Sequence, residues 1–234
     1  HYLSELEPVL RRKMTAATGT LVAVFALAGL VLFGGGQVQA QTDSEWTVKS
    51  FNADFYIDAK ADGSMDINET IDAFFYVQKH GIYRYIPTYY ESDGFGPGTN
   101  LNTTIQSIAK GQDGGAVPYE QNESNGYVNL KIGNSNVYIS GDYTYKIDYS
   151  VDNSILFYGD HDELYWDVNG GDWPVGMGEV SASIFVPEEI RSAVGGMRCF
   201  TGAYGSTASD CEIAYDEETG VITVTTTSPL SNYE

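Results

Sequence analysis

Basic residues are scarce in this sequence. It contains 12 Lys and Arg residues against 32 Asp and Glu residues, so its formal net charge at neutral pH is −20. An acidic surface repels the phosphates of nucleic acids and the headgroups of an anionic membrane. We therefore expect no nucleic-acid partner, and we expect membrane contact to be made through a segment outside the folded domain.

Sequence motifs of catalysis and metal binding are missing as well. No Gly-x-Ser-x-Gly elbow, phosphate-binding loop or His-Glu-x-x-His motif occurs, and His80 and His161 are isolated. Zinc sites usually combine Cys and His, and no His lies near either of the 2 cysteines. The sequence therefore predicts a protein without a cofactor and without a metal centre, apart from a calcium alternative described below.

The apolar run Leu21–Phe33 is short, with 13 residues, whereas a membrane-spanning helix needs about 20. It follows the basic residues Arg11–Lys13 and precedes Val38–Ala40, whose small residues suit a signal peptidase. This order predicts a secretory signal cleaved before Gln41. An uncleaved membrane anchor is the alternative.

This interpretation divides the chain into two parts. Residues 1–40 are upstream residues with the signal peptide or anchor, and residues 41–234 form a single extracytoplasmic β domain. The chain begins with His1 rather than Met and stops at Glu234 without a closing signal. We therefore expect a piece of a longer protein, truncated at the C-terminus of the domain.

Apolar residues alternate with polar ones in many short segments, which is the pattern of strands buried on one face. The clearest pair is a hairpin turning at Gly63. Its two apolar faces are Phe51, Ala53, Phe55, Ile57 and Ala59, then Met65, Ile67, Ile71, Ala73, Phe75 and Val77. About nine or ten such strands predict an all-β fold, an antiparallel β-sandwich, with a partly open β-barrel as the alternative.

Glu69 interrupts the apolar face of the second hairpin strand. A carboxylate on a core face is costly unless a cation pairs with it. Arg84 is one of few basic residues in the domain and lies in the aromatic segment that follows the hairpin. We therefore predict a structural ion pair between Glu69 and Arg84.

The hairpin turn also overlaps a calcium-loop pattern. Asp58, Asp62 and Asp66 are spaced four residues apart around the turn, and Glu69 matches the last position of the pattern. Lys60 stands where a calcium ligand is needed, and the flanking segments are strands rather than helices. A plain hairpin turn is therefore the favoured interpretation, with a weak calcium site at the three aspartates as the alternative.

Cys199 and Cys211 enclose a polar loop. Behind a secretory signal, two cysteines at this spacing predict a disulfide that closes a surface loop. The alternative is a pair of free thiols in a reducing compartment.

A carbohydrate could be the ligand or the substrate of this domain. Carboxylates beside aromatic rings, as in Asp162, Glu163 and Asp167, are the groups that hydrolyse glycosides. Aromatic side chains beside polar ones also suit sugar binding. The residues concerned are Tyr83, Tyr85, Tyr89, Tyr90, Trp166 and Trp173. The simpler interpretation is that the acidic loop leads into a core strand and that most of these rings pack inside the sheet.

Two longer motifs resemble a family of predicted bacterial membrane proteins called domain of unknown function 2207. The first motif contains His80, Gly81, Tyr83, Arg84 and Pro87, and the second contains Glu163, Tyr165, Trp166, Gly170 and Trp173. The segment from Cys199 to Cys211 also resembles the cysteine-closed loop of the family. The resemblance implies a signal peptide, an extracytoplasmic β domain and membrane spans, and it implies no activity and no catalytic residue.

Together these observations predict a non-enzymatic, exported domain on the extracytoplasmic face of a bacterial membrane. It would serve binding or structure in an anchored envelope protein, with an envelope protein or a glycan as its partner. The alternative is a cation- or glycan-binding module of the cell wall, and the third prediction is a carbohydrate hydrolase.

Overall fold

The computed structural model describes residues 20–25, 44–58, 63–90, 98–111, 113–202 and 205–234. These residues form 17 strands and one short 3-10 helix, Glu188–Ala193. The strands are β1 Thr20–Phe25, β2 Trp46–Ile57, β3 Met65–Lys79, β4 Gly81–Pro87, β5 Tyr89–Tyr90, β6 Thr99–Asn100, β7 Asn102–Lys110, β8 Gly115–Ala116, β9 Tyr119–Ser124, β10 Tyr127–Gly133, β11 Ile139–Asp152, β12 Ile155–Phe157, β13 His161–Trp166, β14 Met177–Phe185, β15 Arg198–Cys199, β16 Cys211–Asp216 and β17 Val221–Thr226. The predicted all-β, sandwich-like fold is confirmed.

One large sheet organises the domain. Its 8 strands follow the order β16-β17-β14-β2-β3-β11-β7-β8. Neighbouring strands are antiparallel except β2 and β14, which are parallel. The sequence predicted antiparallel pairing throughout, because alternation within a strand carries no information about the direction of its neighbour.

The predicted hairpin forms the centre of this sheet. β2 and β3 are antiparallel, with Phe55 opposite Ile67 and Phe51 opposite Ile71. These four side chains are buried, as their alternation requires, because every second side chain of a strand points to the same face. β11 extends the sheet on the other side of β3 and adds Tyr145, Ile147, Tyr149 and Val151 to the same core.

Two smaller sheets cover the inner face of the large one. The first, called the small sheet here, has 3 strands in the order β4-β10-β9. The second has the order β12-β13-β1-β15. Aromatic rings join the layers: Trp166 of β13 meets Phe55 edge-on at 6.1 Å, and Trp173 meets Phe51 edge-on at 6.3 Å between ring centroids.

The predicted signal segment is described only at β1, which pairs in parallel with β13 and β15. The basic residues Arg11–Lys13 and the cleavage motif Val38–Ala40 lie outside the described residues. Cleavage before Gln41 therefore stays a prediction. Within the described part of the chain, no helix has the length and apolar composition that a membrane crossing requires.

Candidate functional site: a buried polar network beside an exposed tyrosine face

The structure brings Glu69 and Arg84 together in the core. Glu69 lies on β3 of the large sheet and Arg84 on β4 of the small sheet, with 1% and 2% of their surfaces exposed. The guanidinium donates from Nε to Glu69 Oε2 at 2.9 Å and from Nη2 to Oε1 at 2.6 Å. This two-point geometry is the strongest form of a carboxylate–guanidinium contact, and it links two sheets.

The third nitrogen of Arg84 connects the pair to the second motif. Nη1 donates to the carbonyl oxygen of Tyr85 at 2.7 Å and to that of Asn169 at 2.9 Å. Burial lowers the pKa of Arg84, but the charge of Glu69 and its hydrogen bonds outweigh burial, so the net pKa shift is upward. The guanidinium therefore keeps its positive charge in the core.

Tyr149 donates a further hydrogen bond to Glu69. Its hydroxyl donates to Glu69 Oε1 at 2.7 Å from β11, the neighbour of β3. Burial, followed by the negative charge of Glu69, raises the pKa of Tyr149 well above its ordinary value. Tyr149 was not predicted from the sequence as a member of this network. Its position on a core face was a usable signal, since a buried tyrosine hydroxyl usually needs a hydrogen-bond partner.

The loop after β13 is held by the same network. The carbonyl oxygen of Asn169 also accepts a hydrogen bond from Trp173 Nε1 at 2.7 Å. The side-chain amide of Asn169 donates to the carbonyl oxygen of Glu234 at 2.9 Å. The two motifs, which are far apart in the sequence, therefore meet at Arg84 and Asn169 and fix each other in place.

Two glycines of the motifs are explained by close approaches of the backbone. A Cβ on Gly81 would lie 1.8 Å from the carbonyl oxygen of Ile132, the residue before Gly133 on β10. Gly170 has a φ of +77°, and a Cβ there would lie 2.8 Å from Arg84 Nη1. A larger residue at either position would collide with a backbone strand or with the ion pair.

Asp167 lies at the edge of this network. Its Oδ1 accepts the backbone N–H of Gly170 at 3.0 Å. Burial raises the pKa of Asp167 to about 6, while the Gly170 N–H and the positive charge of Arg84 oppose the rise and the charge of Asp172 adds to it. The folded protein thus holds a proton on Asp167 at a pH where an unfolded chain has released it.

We expect this carboxyl group to lower the free energy of unfolding as the pH rises. Because its pKa is raised from 3.8 to about 6, its unfavourable contribution appears as pH rises from about 4 and is complete above about 6. Asp167→Asn should remove this fall, so the variant should gain about 2–3 kcal/mol relative to the wild type between pH 4 and pH 7. Urea unfolding at several pH values measures the difference.

Asp152→Asn is the matched control for this experiment. Asp152 is an exposed carboxylate at the end of β11, so its replacement should change the free energy of unfolding by less than about 0.5 kcal/mol at pH 4 and at pH 7. A difference between Asp167→Asn and the wild type that does not change with pH would contradict the prediction.

The remaining residues of the first motif differ in exposure, since His80 and Tyr83 are exposed whereas Pro87 is buried. His80 Nδ1 is 2.9 Å from the carbonyl oxygen of Val137, and Tyr83 is exposed on β4. Pro87 ends β4 opposite Tyr127 of β10. The motif therefore contains two buried residues, Arg84 and Pro87, in a strand that exposes Tyr83 on its other face.

The second motif holds core residues and polar surface residues. Trp166 is fully buried, and Tyr165 meets the ring of Tyr90 edge-on at 5.3 Å. Glu163 is half-buried on β13, and its Oε2 is 3.9 Å from His161 Nε2. Asp162 is also half-buried there. A carbohydrate hydrolase that uses Asp162, Glu163 or Asp167 remains a prediction.

The predicted calcium ligands are described in part. Asp58 follows β2 and Asp66 lies on β3, both exposed, while Asp62 lies outside the described residues. Among the residues that the structure describes, no group of three or more His, Cys, Asp or Glu side chains is arranged to hold a metal ion. The weak calcium site at these aspartates stays a prediction.

Cys199 and Cys211 form a disulfide, as their spacing predicts, and not the alternative pair of free thiols. Their Cα atoms are 6.3 Å apart. The bond joins β15 to the start of β16, the edge strand of the large sheet. Ser209 Oγ donates to the carbonyl oxygen of Cys199 at 2.9 Å, which fixes the enclosed loop from inside.

The outer face of the small sheet carries an unusual set of residues, which we call the tyrosine face. Strand pairing places three cross-strand rows on this face. The rows are Tyr83, Lys131 and Glu120; Tyr85, Asn129 and Asn122; and Pro87, Tyr127 and Ser124, of which Pro87 is buried. Tyr83 and Tyr85 were predicted from the sequence, but their polar partners were not, because the pairing of β4, β10 and β9 is not visible in the sequence.

The family of this chain follows from comparison with known proteins. A family described as predicted membrane protein, DUF2207, N-terminal domain, matches residues 47–234. The chain belongs to this family. The predicted resemblance is confirmed, and the matched region contains the buried network, the disulfide and the tyrosine face.

One curated relative of this DUF2207 domain is the uncharacterized protein YciQ of Escherichia coli K12. It is 30% identical over 158 residues, which cover 66% of this chain and 25% of YciQ. The chain therefore spans about a quarter of the length of this relative.

Solved structures resemble the domain only distantly. Yeast LTA4 hydrolase has a TM-score of 0.48 at 11% identity, over 82% of this chain and 28% of the hydrolase. A zinc metallopeptidase from Deinococcus radiodurans has a TM-score of 0.40 at 8% identity, over 81% of this chain and 41% of the peptidase. Likeness at this level carries no inference about activity.

Proposed function

We propose that this chain is the non-enzymatic extracytoplasmic domain of a membrane-anchored bacterial envelope protein, where it serves binding or structure. The observation that carries the proposal is the Cys199–Cys211 disulfide in a domain of a predicted membrane protein family. Disulfides persist in oxidising compartments and are rare in the cytosol. The cross-link therefore favours a location outside the cytosol.

The buried network supports a structural role for the most polar residues of the motifs. Glu69 and Arg84 are engaged with each other, with Tyr149 and with backbone carbonyl groups. A charged pair that is almost completely buried does not reach a substrate. Its contacts instead hold the small sheet and the loop after β13 against the large sheet.

Protease accessibility in cells tests the orientation. The full-length protein, carrying a C-terminal tag, is produced in a bacterium, and protease is added to intact spheroplasts and to lysed cells. We expect the domain to be cleaved in both samples and the tagged protein to sediment with the membrane fraction. A cytosolic protein of the host should be cleaved only after lysis.

Two outcomes would contradict this proposal. Protection of the domain in spheroplasts with cleavage after lysis would place it in the cytoplasm. Recovery of the full-length protein in the soluble fraction would show that it is not anchored in the membrane.

A further inference from the structure

The tyrosine face is open to solvent although it is rich in aromatic side chains. Tyr83 has 56% of its surface exposed, Tyr127 is also exposed, and Tyr85 is half-buried. The opposite face of the same strands is core, with Ile82, Ile86, Val128, Leu130 and Ile132 buried there. Clustered exposed aromatic rings on a sheet that already has a buried face indicate a binding surface.

Two rings on this face are held parallel. The planes of Tyr83 and Tyr85 differ by 7°, and their centroids are 6.4 Å apart. These residues alternate along β4, on either side of the buried Arg84. Because the Arg84 side chain is fixed by Glu69 and by the Asn169 carbonyl, the strand that carries both rings has a fixed position.

Fixed amide groups lie beside the rings. Asn129 Nδ2 donates to Asn122 Oδ1 at 3.1 Å and to Ser124 Oγ at 2.9 Å. Asn129 stands directly opposite Tyr85 on the neighbouring strand. The face therefore combines flat apolar rings with a fixed pair of amides, and the atoms not used in these bonds, Asn129 Oδ1 and Asn122 Nδ2, remain to meet a ligand.

A small groove, with room for about one water molecule, lies beside the rings. It is lined by Tyr83, Arg84, Tyr85, Gly170, Asp172 and Trp173, so residues of both motifs form it. Asp172 places a carboxylate at this border. Burial, followed by the charges of Asp172 and Asp167, raises the pKa of Tyr127 on the same face.

The charges around the face limit the kinds of ligand that it can bind. Its single cation, Lys131, is bonded to Glu120 at 3.1 and 3.2 Å. Asp172 borders the groove, and the whole chain carries a net charge of −20. An anionic polymer would be repelled, whereas an uncharged ligand meets rings and amides without an electrostatic penalty.

We propose that the tyrosine face binds an uncharged, unbranched glycan chain. The C–H faces of sugar rings pack on Tyr83 and Tyr85, and sugar hydroxyl groups bond Asn129, Asn122 and the rim carboxylate Asp172. This deepens the proposed binding role in the envelope and rests on it for its biological meaning. The binding itself is a property of the purified chain, so its failure is separate from failure of the proposed orientation.

Calorimetric titration of the purified chain tests the proposal. The probes are two neutral hexasaccharides, the hexamer of N-acetylglucosamine and maltohexaose, and an anionic one, the hexamer of galacturonic acid. We expect saturable binding of at least one neutral hexamer and none of the anionic hexamer. Tyr83→Ala and Tyr85→Ala should each weaken the neutral interaction about three- to tenfold, the loss of one ring contact.

Tyr76→Ala is the matched control. Tyr76 is a tyrosine on β3 of the large sheet with 62% of its surface exposed, so this variant should bind like the wild type. Thermal melting of all three variants checks that the fold is retained.

Three results would overturn the proposal. The first is the absence of saturable binding of either neutral hexamer. The second is an equal loss of affinity in Tyr76→Ala and Tyr83→Ala. The third is a dimer that Tyr83→Ala dissociates, because the face would then be an interface between two copies of this chain.

Discussion

Arg84→Ala should lower the free energy of unfolding by about 3–5 kcal/mol. The variant leaves the Glu69 carboxylate buried with the Tyr149 hydroxyl as its remaining partner among the described residues. It also removes one of the two donors to the Asn169 carbonyl, the other being Trp173 Nε1. An uncompensated buried charge costs more than a missing contact, since the carboxylate has lost its water as well. Urea unfolding, followed by tryptophan fluorescence, measures the shift.

Two further variants keep this prediction testable if Arg84→Ala does not fold. Lys131→Ala removes the exposed pair with Glu120 and should cost less than about 1 kcal/mol. Arg84→Met combined with Glu69→Leu removes both charges and should be clearly more stable than Arg84→Ala alone. Equal effects of Arg84→Ala and Lys131→Ala would show that the buried pair does not hold the sheets together.

Removal of the disulfide should have the second large effect. Cys199 and Cys211 are separated by 12 positions, and closing a loop of similar length stabilises a domain by about 3 kcal/mol in the chain-entropy model. We therefore expect a loss of about this size when both cysteines are replaced by Ala. The loss should be concentrated at β15 and β16, which hydrogen exchange can show.

Reduction provides an independent measurement of the same effect. Dithiothreitol should lower the unfolding midpoint of the wild type to nearly that of the double alanine variant, and it should leave the variant itself unchanged. A wild-type midpoint that is insensitive to reduction would mean that the cross-link constrains a loop without stabilising the fold.

Much of the core was predictable because strand periodicity is local. The alternation of Phe51, Phe55, Ile67 and Ile71 identified the central hairpin, and all four are buried. Glu69 was conspicuous for the same reason, since a charge at a core position of an alternating strand demands a partner. Few basic residues were available, so Arg84 could be proposed from the sequence.

The direction of strand pairing was not predictable. β14 joins β2 in parallel, although more than a hundred residues separate the two strands. Only the packing of the intervening strands brings them side by side. The tyrosine face was missed in part for a similar reason, because Asn129 and Asn122 become neighbours of Tyr85 only through the register of β4, β10 and β9.

The sequence by itself determined the fold class, the buried face of each main strand and the pairing of its two cysteines, because alternation, charge and cysteine spacing act over short distances. Tertiary structure alone decided that both motifs meet at Arg84 and Asn169. It also decided that the strand bearing this buried arginine presents two parallel tyrosines to solvent. Such convergence depends on how sheets pack, and no local pattern of residues records it.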